Sequence, residues 1–201
     1  MEYLVTVFIP VWNQEELVLR ALRSIPERED IEILVVDDGS TDDTLKNVLE
    51  YAKTHPNMSV LTNGENRGLG YTKNVAYDHA RGKYVHQLDS DDYLYMAEYE
   101  RVLAQLDGSD IVYCDARKND GSVFHLTMMS QRMLCVGWFR FIRREFLGAH
   151  RCPEVKTGED WYLNEELQAI PHTEKYTGIV AYHYNFPREG SLFDLLVKGE
   201  L

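Results

Sequence analysis

Tyr84-Val85-His86-Gln87-Leu88-Asp89-Ser90-Asp91-Asp92 joins an apolar-leaning run to a cluster of carboxylates. The first part has the length and composition of a buried strand, and the aspartates fall where that strand should stop. Three aspartates within four residues repel one another, so folding tolerates them only where water or a cation balances their charge. Carboxylate oxygens suit hard divalent ions such as Mg2+ and Mn2+, which in turn grip phosphate oxygens. A solvated loop capping the next helix would use the same residues.

Three more strand-and-helix units precede this one. Residues 4–9, 31–36 and 58–62 are short, apolar and rich in β-branched side chains, which predicts strands. Residues 14–25 carry Leu17, Ala21, Leu22 and Ile25 at helical spacing, with Asn13 as the expected N-cap and Pro26 beyond the end. Residues 44–53 and 69–80 are further expected helices. Strict alternation of strand and helix argues for a parallel sheet covered by helices, an α/β architecture. The first two strands read as apolar runs rather than as an alternation, as strands buried on both faces should. In such sheets ligands lie beyond the carboxyl ends of the strands. The ends at Trp12-Asn13, Asp37-Asp38 and Asp89-Ser90-Asp91 are therefore expected to converge.

Beyond Asp92 the pattern becomes mixed α+β. A helix is expected over residues 96–106, strands over 110–115 and 139–142, and short helices over 143–147 and 161–168. A late strand is expected over 179–184. Asp120-Gly121 between strand-like runs signals a hairpin. Without repeats, low-complexity segments or a Pro/Gly/Ser-rich linker, the chain reads as one domain over residues 1–201. Its two halves meet near residue 92.

With 201 residues, 44% of them hydrophobic, the chain is long enough to bury a substantial core. Its 21 basic and 33 acidic residues give a net charge of −12, which disfavours non-specific binding to nucleic acid or anionic lipid. Cys114, Cys135 and Cys152 are odd in number and form no CxxC pair, as expected of reduced thiols. No secretory signal and no transmembrane segment is read, which points to a cytoplasmic protein, at most peripheral at a membrane through a partner. Asp89, Asp91 and Glu100 imitate parts of a calcium loop, but Tyr93 and Leu94 stand where a ligand and the turn glycine are needed. Gly68-Leu69-Gly70 opens like a dinucleotide fingerprint, but Lys73 replaces the third glycine, and no P-loop is present.

Five segments in order make the chain resemble the inverting family-2 glycosyltransferases, which have the GT-A fold. Pro10-Val11-Trp12-Asn13, followed by Glu15, is similar to the opening motif. Val35-Val36-Asp37-Asp38-Gly39-Ser40-Thr41-Asp42 is close to the second. Asn66-Arg67-Gly68 with Lys73-Asn74 resembles the third, with Lys73 in place of the usual arginine. Leu88-Asp89-Ser90-Asp91-Asp92 matches the D-x-D motif, and Gly158-Glu159-Asp160-Trp161 the later E-D motif. The resemblance spans nearly the whole chain.

The resemblance implies transfer of a sugar from a nucleoside diphosphate sugar, most often a UDP-sugar, to an acceptor hydroxyl. Pro10, Val11, Trp12, Asn13, Glu15, Asp38, Arg67, Lys73, Asp89, Ser90 and Arg188 are the implied donor-binding residues. Within that set Trp12 stacks on the base, Asp38 accepts the base N–H, and Arg67 and Lys73 meet the diphosphate. Asp89 and Asp91 would hold Mn2+ or Mg2+, with His183 a further metal candidate or a structural histidine. Asp160 would be the general base and Glu159 its neighbour, or the pair would simply favour a helix N-terminus. The acceptor is left open among carbohydrate, lipid-linked and other hydroxyls, as is a homo-oligomer. Trp138, Phe139, Arg140 and Arg143 would line the acceptor side or pack the core. The rivals are a non-catalytic sugar-nucleotide-binding subunit and a nucleotidyltransferase.

Overall fold

A computed structural model describes residues 2–125, 137, 139–189 and 198. Cys135 and Trp138 lie outside the described residues. The N-terminal half alternates β1 (Val5–Val11), α1 (Leu17–Arg23), β2 (Ile31–Asp37), α2 (Thr44–Ala52), β3 (Met58–Thr62), α3 (Leu69–His79) and β4 (Tyr84–Gln87). The second half holds β5 (Tyr93–Leu94), α4 (Met96–Leu103), β6 (Ile111–Lys118), β7 (Val123–Phe124), β8 (Arg140–Arg143), α5 (Arg144–Leu147), α6 (Glu159–Gln168) and β9 (Glu174–Tyr184).

The nine strands among the described residues form one sheet in the order β3-β2-β1-β4-β8-β6-β9-β5, with β7 paired to β6. Strands β1 to β4 are mutually parallel, and β8 is antiparallel to both β4 and β6. This is the expected mostly parallel sheet with a mixed second half. Alternation along each strand divides the core in two. Val5, Val7 and Ile9 of β1 pack with Val18 and Leu22 of α1, Val48 of α2 and Tyr99 and Val102 of α4. Phe8, Leu34, Val36 and Val85 face the other way, toward Ala76 and Tyr77 of α3 and Leu163 and Leu167 of α6. Phe8 and Tyr77 meet edge to face with ring centroids 5.2 Å apart.

Among the differences from expectation, three have a plain physical reason. Helix α1 begins at Leu17 behind Glu16, and Asn13 does not cap it. Asn13 instead has φ 51, and its side chain accepts from the Thr41 N–H at 2.8 Å. Strand β9 starts at Glu174, five residues before the apolar run begins, because its first part is an exposed segment paired with β6. Strand β5 is only Tyr93–Leu94, too short to leave a periodic signal. Cys114 and Cys152 are free and buried. Among the described residues no helix is long and apolar enough to cross a membrane.

Candidate active site

The three polar strand ends do meet. Val11 pairs with Asp37, the Asp38 N–H donates to the Val11 carbonyl at 2.8 Å, and the Leu88 N–H donates to the Phe8 carbonyl at 2.9 Å. Side chains then lock the loops together. The Asn13 N–H donates to Ser40 Oγ at 3.0 Å, and the Asp43 N–H to Glu15 Oε2 at 3.1 Å. Asp37 holds its own turn through the Ser40 N–H. Gly39 is required in that turn, since φ is 71 and a Cβ would strike the backbone of Glu65 and Asn66. Asp38 is buried and accepts from Asn63 Nδ2 at 2.7 Å, the Arg67 N–H at 2.8 Å and the Gly68 N–H at 2.9 Å. It thereby organises the turn into α3, leaving about one of its four lone-pair sites for a ligand. Trp12 stands 50% exposed at the rim, with its indole open to a flat partner. Pro10 and Val11 are buried in β1, and Arg67 is exposed, stacked over Tyr71 at 4.2 Å.

Beyond β4 the carboxylates have distinct surroundings. Asp89 accepts from Gln87 Nε2 at 2.6 Å. Burial, with the neighbouring Asp91 charge added, pushes its carboxyl up to about 7 against the pull of Lys73. Asp92 is buried and held by Tyr182, whose hydroxyl donates to it at 2.8 Å and accepts the Asp89 N–H at 3.0 Å. The Asn185 N–H supplies a second donor to Asp92 at 2.7 Å. Asp91 is partly exposed, with Arg188 Nε on its carboxylate at 2.8 Å and Arg20 on its backbone carbonyl. Ser90 is buried in the same turn.

His183, expected as a metal ligand or a structural histidine, lies opposite Tyr93 in the β5–β9 pair. Its Nδ1 faces the Tyr95 hydroxyl at 2.9 Å and its Nε2 faces Asn119 Oδ1 at 2.9 Å, so both ring nitrogens already have protein partners. Burial, then the Arg20 and Arg117 charges, lower its pKa below the ordinary imidazole value. Among the described residues no group of three His, Cys, Asp or Glu side chains could enclose a metal. The donor set nevertheless suits a hard cation. Mg2+ and Mn2+ sites commonly use one or two carboxylates and complete the shell with substrate phosphates and water. Asp89 and Asp91 would be the two carboxylates.

Lys73 is the largest departure from expectation. Placed at the diphosphate by the motif, it is fully buried, and Nζ donates to Glu159 Oε1 and Asp160 Oδ2 at 2.8 Å each. Burial opposes its charge, but the two carboxylates outweigh burial and hold its pKa well above the ordinary lysine value. Glu159 and Asp160 open α6 behind Gly158, so α3 and α6 are joined by this ion triad. Asp160 keeps its other oxygen, Oδ1, buried and without a hydrogen-bond partner among the described residues. Burial raises its carboxyl, with Lys73 acting in the opposite sense.

Residue patterns alone did not single out Gln87, Asn63 or Tyr182. Gln87 interrupts an otherwise apolar strand, and Asn63 makes the end of β3 a fourth polar strand end. Those were the available signals. Tyr182 had none, since its partners lie about ninety residues away.

The Asp160 carboxyl thus lies within electrostatic reach of Asp89, on the same side of the sheet as the loops that follow β1, β2 and β4. The profile of glycosyl transferase family 2 matches residues 6–161, and the chain belongs to that family. It is 39% identical over 93 residues to the chondroitin synthase of Escherichia coli, covering 45% of this chain and 13% of that protein. It is 27% identical over 207 residues to the putative glycosyltransferase EpsH of Bacillus subtilis, covering 90% of this chain and 60% of EpsH. Among solved structures it is similar to S. aureus TarS 1–349 in complex with UDP-GlcNAc. That likeness has a TM-score of 0.81 and 25% identity over 95% of this chain and 60% of the other. The chain therefore spans less than two thirds of each of these proteins.

Proposed function

We propose that the chain transfers a sugar, with inversion, from a nucleoside diphosphate sugar to an acceptor hydroxyl, with Asp160 as the general base. The observation that carries the reading is Asp160 itself: one oxygen clamped by Lys73, the other without a partner among the described residues, and the carboxyl raised by burial above its ordinary value. The acceptor oxygen would bond to the anomeric carbon as the bond to the diphosphate oxygen breaks. The diphosphate leaves with the electron pair, and the hydroxyl proton goes to Asp160 Oδ1. A single base on the face opposite the leaving group gives inversion, as in an inverting glycosidase. Residues 1–92 would serve the donor and residues 93–201 the acceptor, within one GT-A domain.

Uridine is the favoured base, supported by exposed Trp12 and by the remaining acceptor site on Asp38, and the TarS neighbour was solved with UDP-GlcNAc. Asp89 and Asp91 would hold Mn2+ or Mg2+, which when bound offsets the negative charge gathering on the departing diphosphate. Arg188, now on Asp91, and Arg67 would be the cations that approach that diphosphate. Calorimetric titration with UDP in Mn2+, then in excess EDTA, with GDP and CMP as controls, tests the donor site. Metal-dependent binding selective for UDP is expected. Selective GDP or CMP binding would overturn the base assignment, and no nucleotide binding would overturn the donor site.

A further inference from the structure

Four buried polar atoms near Asp160 have no hydrogen-bond partner among the described residues: Nε and Nη2 of Arg140, Oε1 of Gln87 and Oδ1 of Asp160. Their residues are 3%, 3% and 5% exposed, respectively. Folded proteins rarely leave such atoms unpaired, and the exceptions concentrate where a ligand or ordered water completes the set.

The four atoms belong to one locality. Strand β8 pairs antiparallel with β4, with His86 opposite Phe141 and Val85 opposite Ile142, so Gln87 falls opposite Arg140 at the end of the ladder. By alternation both share the face of Val85 and Ile142, which is the face covered by α3 and α6. Gly137 ties Asp160 to the same spot. A Cβ there would collide with Gln87 Oε1 and come within 3.0 Å of Asp160 Oδ1. Arg140 in turn contributes to the field that acts on Asp160. On a guanidinium, Nε and Nη2 lie along one edge and present parallel donors.

We infer that Gln87, Arg140 and Asp160 form a subsite for two neighbouring hydroxyls of a sugar ring, so that the acceptor offered to Asp160 is a carbohydrate. The inference rests on Asp160 being the base of the proposed reaction. The inventory selects this chemistry: two donors and two acceptors are unpaired. A phosphate or carboxylate would satisfy Arg140, leave both acceptors unpaired, and meet the charge of Asp160. An amine would satisfy the acceptors and face Arg140. A hydroxyl both donates and accepts, so two of them complete all four atoms. One hydroxyl gives its proton to Asp160 and is the nucleophile, while its neighbour is gripped by Gln87 and Arg140 and fixes the ring. Sites built this way discriminate strongly against analogues that lack the hydroxyl.

Saturation-transfer NMR tests this with methyl glucopyranoside, methyl galactopyranoside, a ring-deoxygenated analogue, ribitol phosphate and inorganic phosphate, each with and without UDP and Mn2+. Binding of at least one methyl pyranoside is expected, with loss of the signal for the deoxygenated analogue and no competition by phosphate. Arg140→Met should weaken the pyranoside about tenfold, the loss of roughly one good hydrogen bond. It should leave the UDP affinity unchanged, which also shows that the variant folds. Gln87→Leu is the second variant and should weaken the pyranoside in the same way. Preferential binding of ribitol phosphate or inorganic phosphate would overturn the inference. So would equal pyranoside binding by the variants and the parent, or no pyranoside binding in either state. Failure of UDP alone to bind would instead overturn the donor-site reading and leave the pyranoside comparison standing.

Discussion

A buried ammonium with no counter-charge would lose its proton, so the full burial of Lys73 is tolerable only because Glu159 and Asp160 surround it. The same contact decides what Asp160 can do. Lys73 takes Oδ2 out of use and leaves Oδ1 as the oxygen available to a hydroxyl. Asp160→Asn, nearly the same shape without the basic oxygen, should lower kcat by about 10²- to 10⁴-fold and leave UDP affinity intact. Transfer at the parent rate would overturn the base assignment. Burial lifts the Asp160 carboxyl above its ordinary value while the Lys73 charge pulls it down. The base must be ionised, so activity should fall as pH drops through a value above the usual carboxylate range. Lys73→Met removes the downward pull, and the acid limb of its pH–rate profile should move to higher pH. A lysine that only bound diphosphate would raise the donor KM without moving that limb.

At the scale of elements, the strand ends work because each loop is held by its neighbour. Strands β1 and β2 were readable from sequence because burial on both faces demands apolar runs with little alternation. Strand β5 and the start of β9 were not, since they pair at the edge with side chains partly in water. The E-D and D-x-D carboxylates were legible as motifs. The partners that define their chemistry were not, because Lys73 and Asp160 are 87 residues apart and Tyr182 and Asp92 are 90 apart. Asn13 misled for a related reason: a small polar residue before a helix fits an N-cap, but here it bonds across to Thr41 in the next loop. The Tyr182 hydroxyl fastens the turn after β4 to β9. Tyr182→Phe should cost about 1–3 kcal/mol, because it leaves the Asp89 N–H and one Asp92 oxygen short of a partner. It should also weaken metal-dependent UDP binding. Urea unfolding and calorimetry measure the two effects, and a fully neutral variant would show that the bridge carries nothing.

At the scale of the molecule, the mixed half depends on contacts between strands far apart in sequence. Asp110, just before β6, accepts from Arg143 at the end of β8 and from the N–H and hydroxyl of Thr173, just before β9. One buried carboxylate thus pins the near ends of three strands of the mixed half, β6, β8 and β9. Burial alone would raise its pKa. The bonds from Thr173 and Arg143 outweigh that and depress it to about 2, against 3.8 for a free aspartate. The folded-state value lies below the unfolded one, so the stabilisation is fully present above about pH 4 and is lost as pH falls toward 2. Its size is on the order of 2 kcal/mol. Asp110→Asn should therefore melt several degrees lower than the parent at pH 7, about 4–8 °C for a chain of this length. The gap should close as pH is lowered through the window from about 4 to 2, because the parent then loses by protonation what the variant never had. A melting difference that stays constant from pH 7 to the acid limit of folding would mean that the Asp110 charge does not hold these strands together.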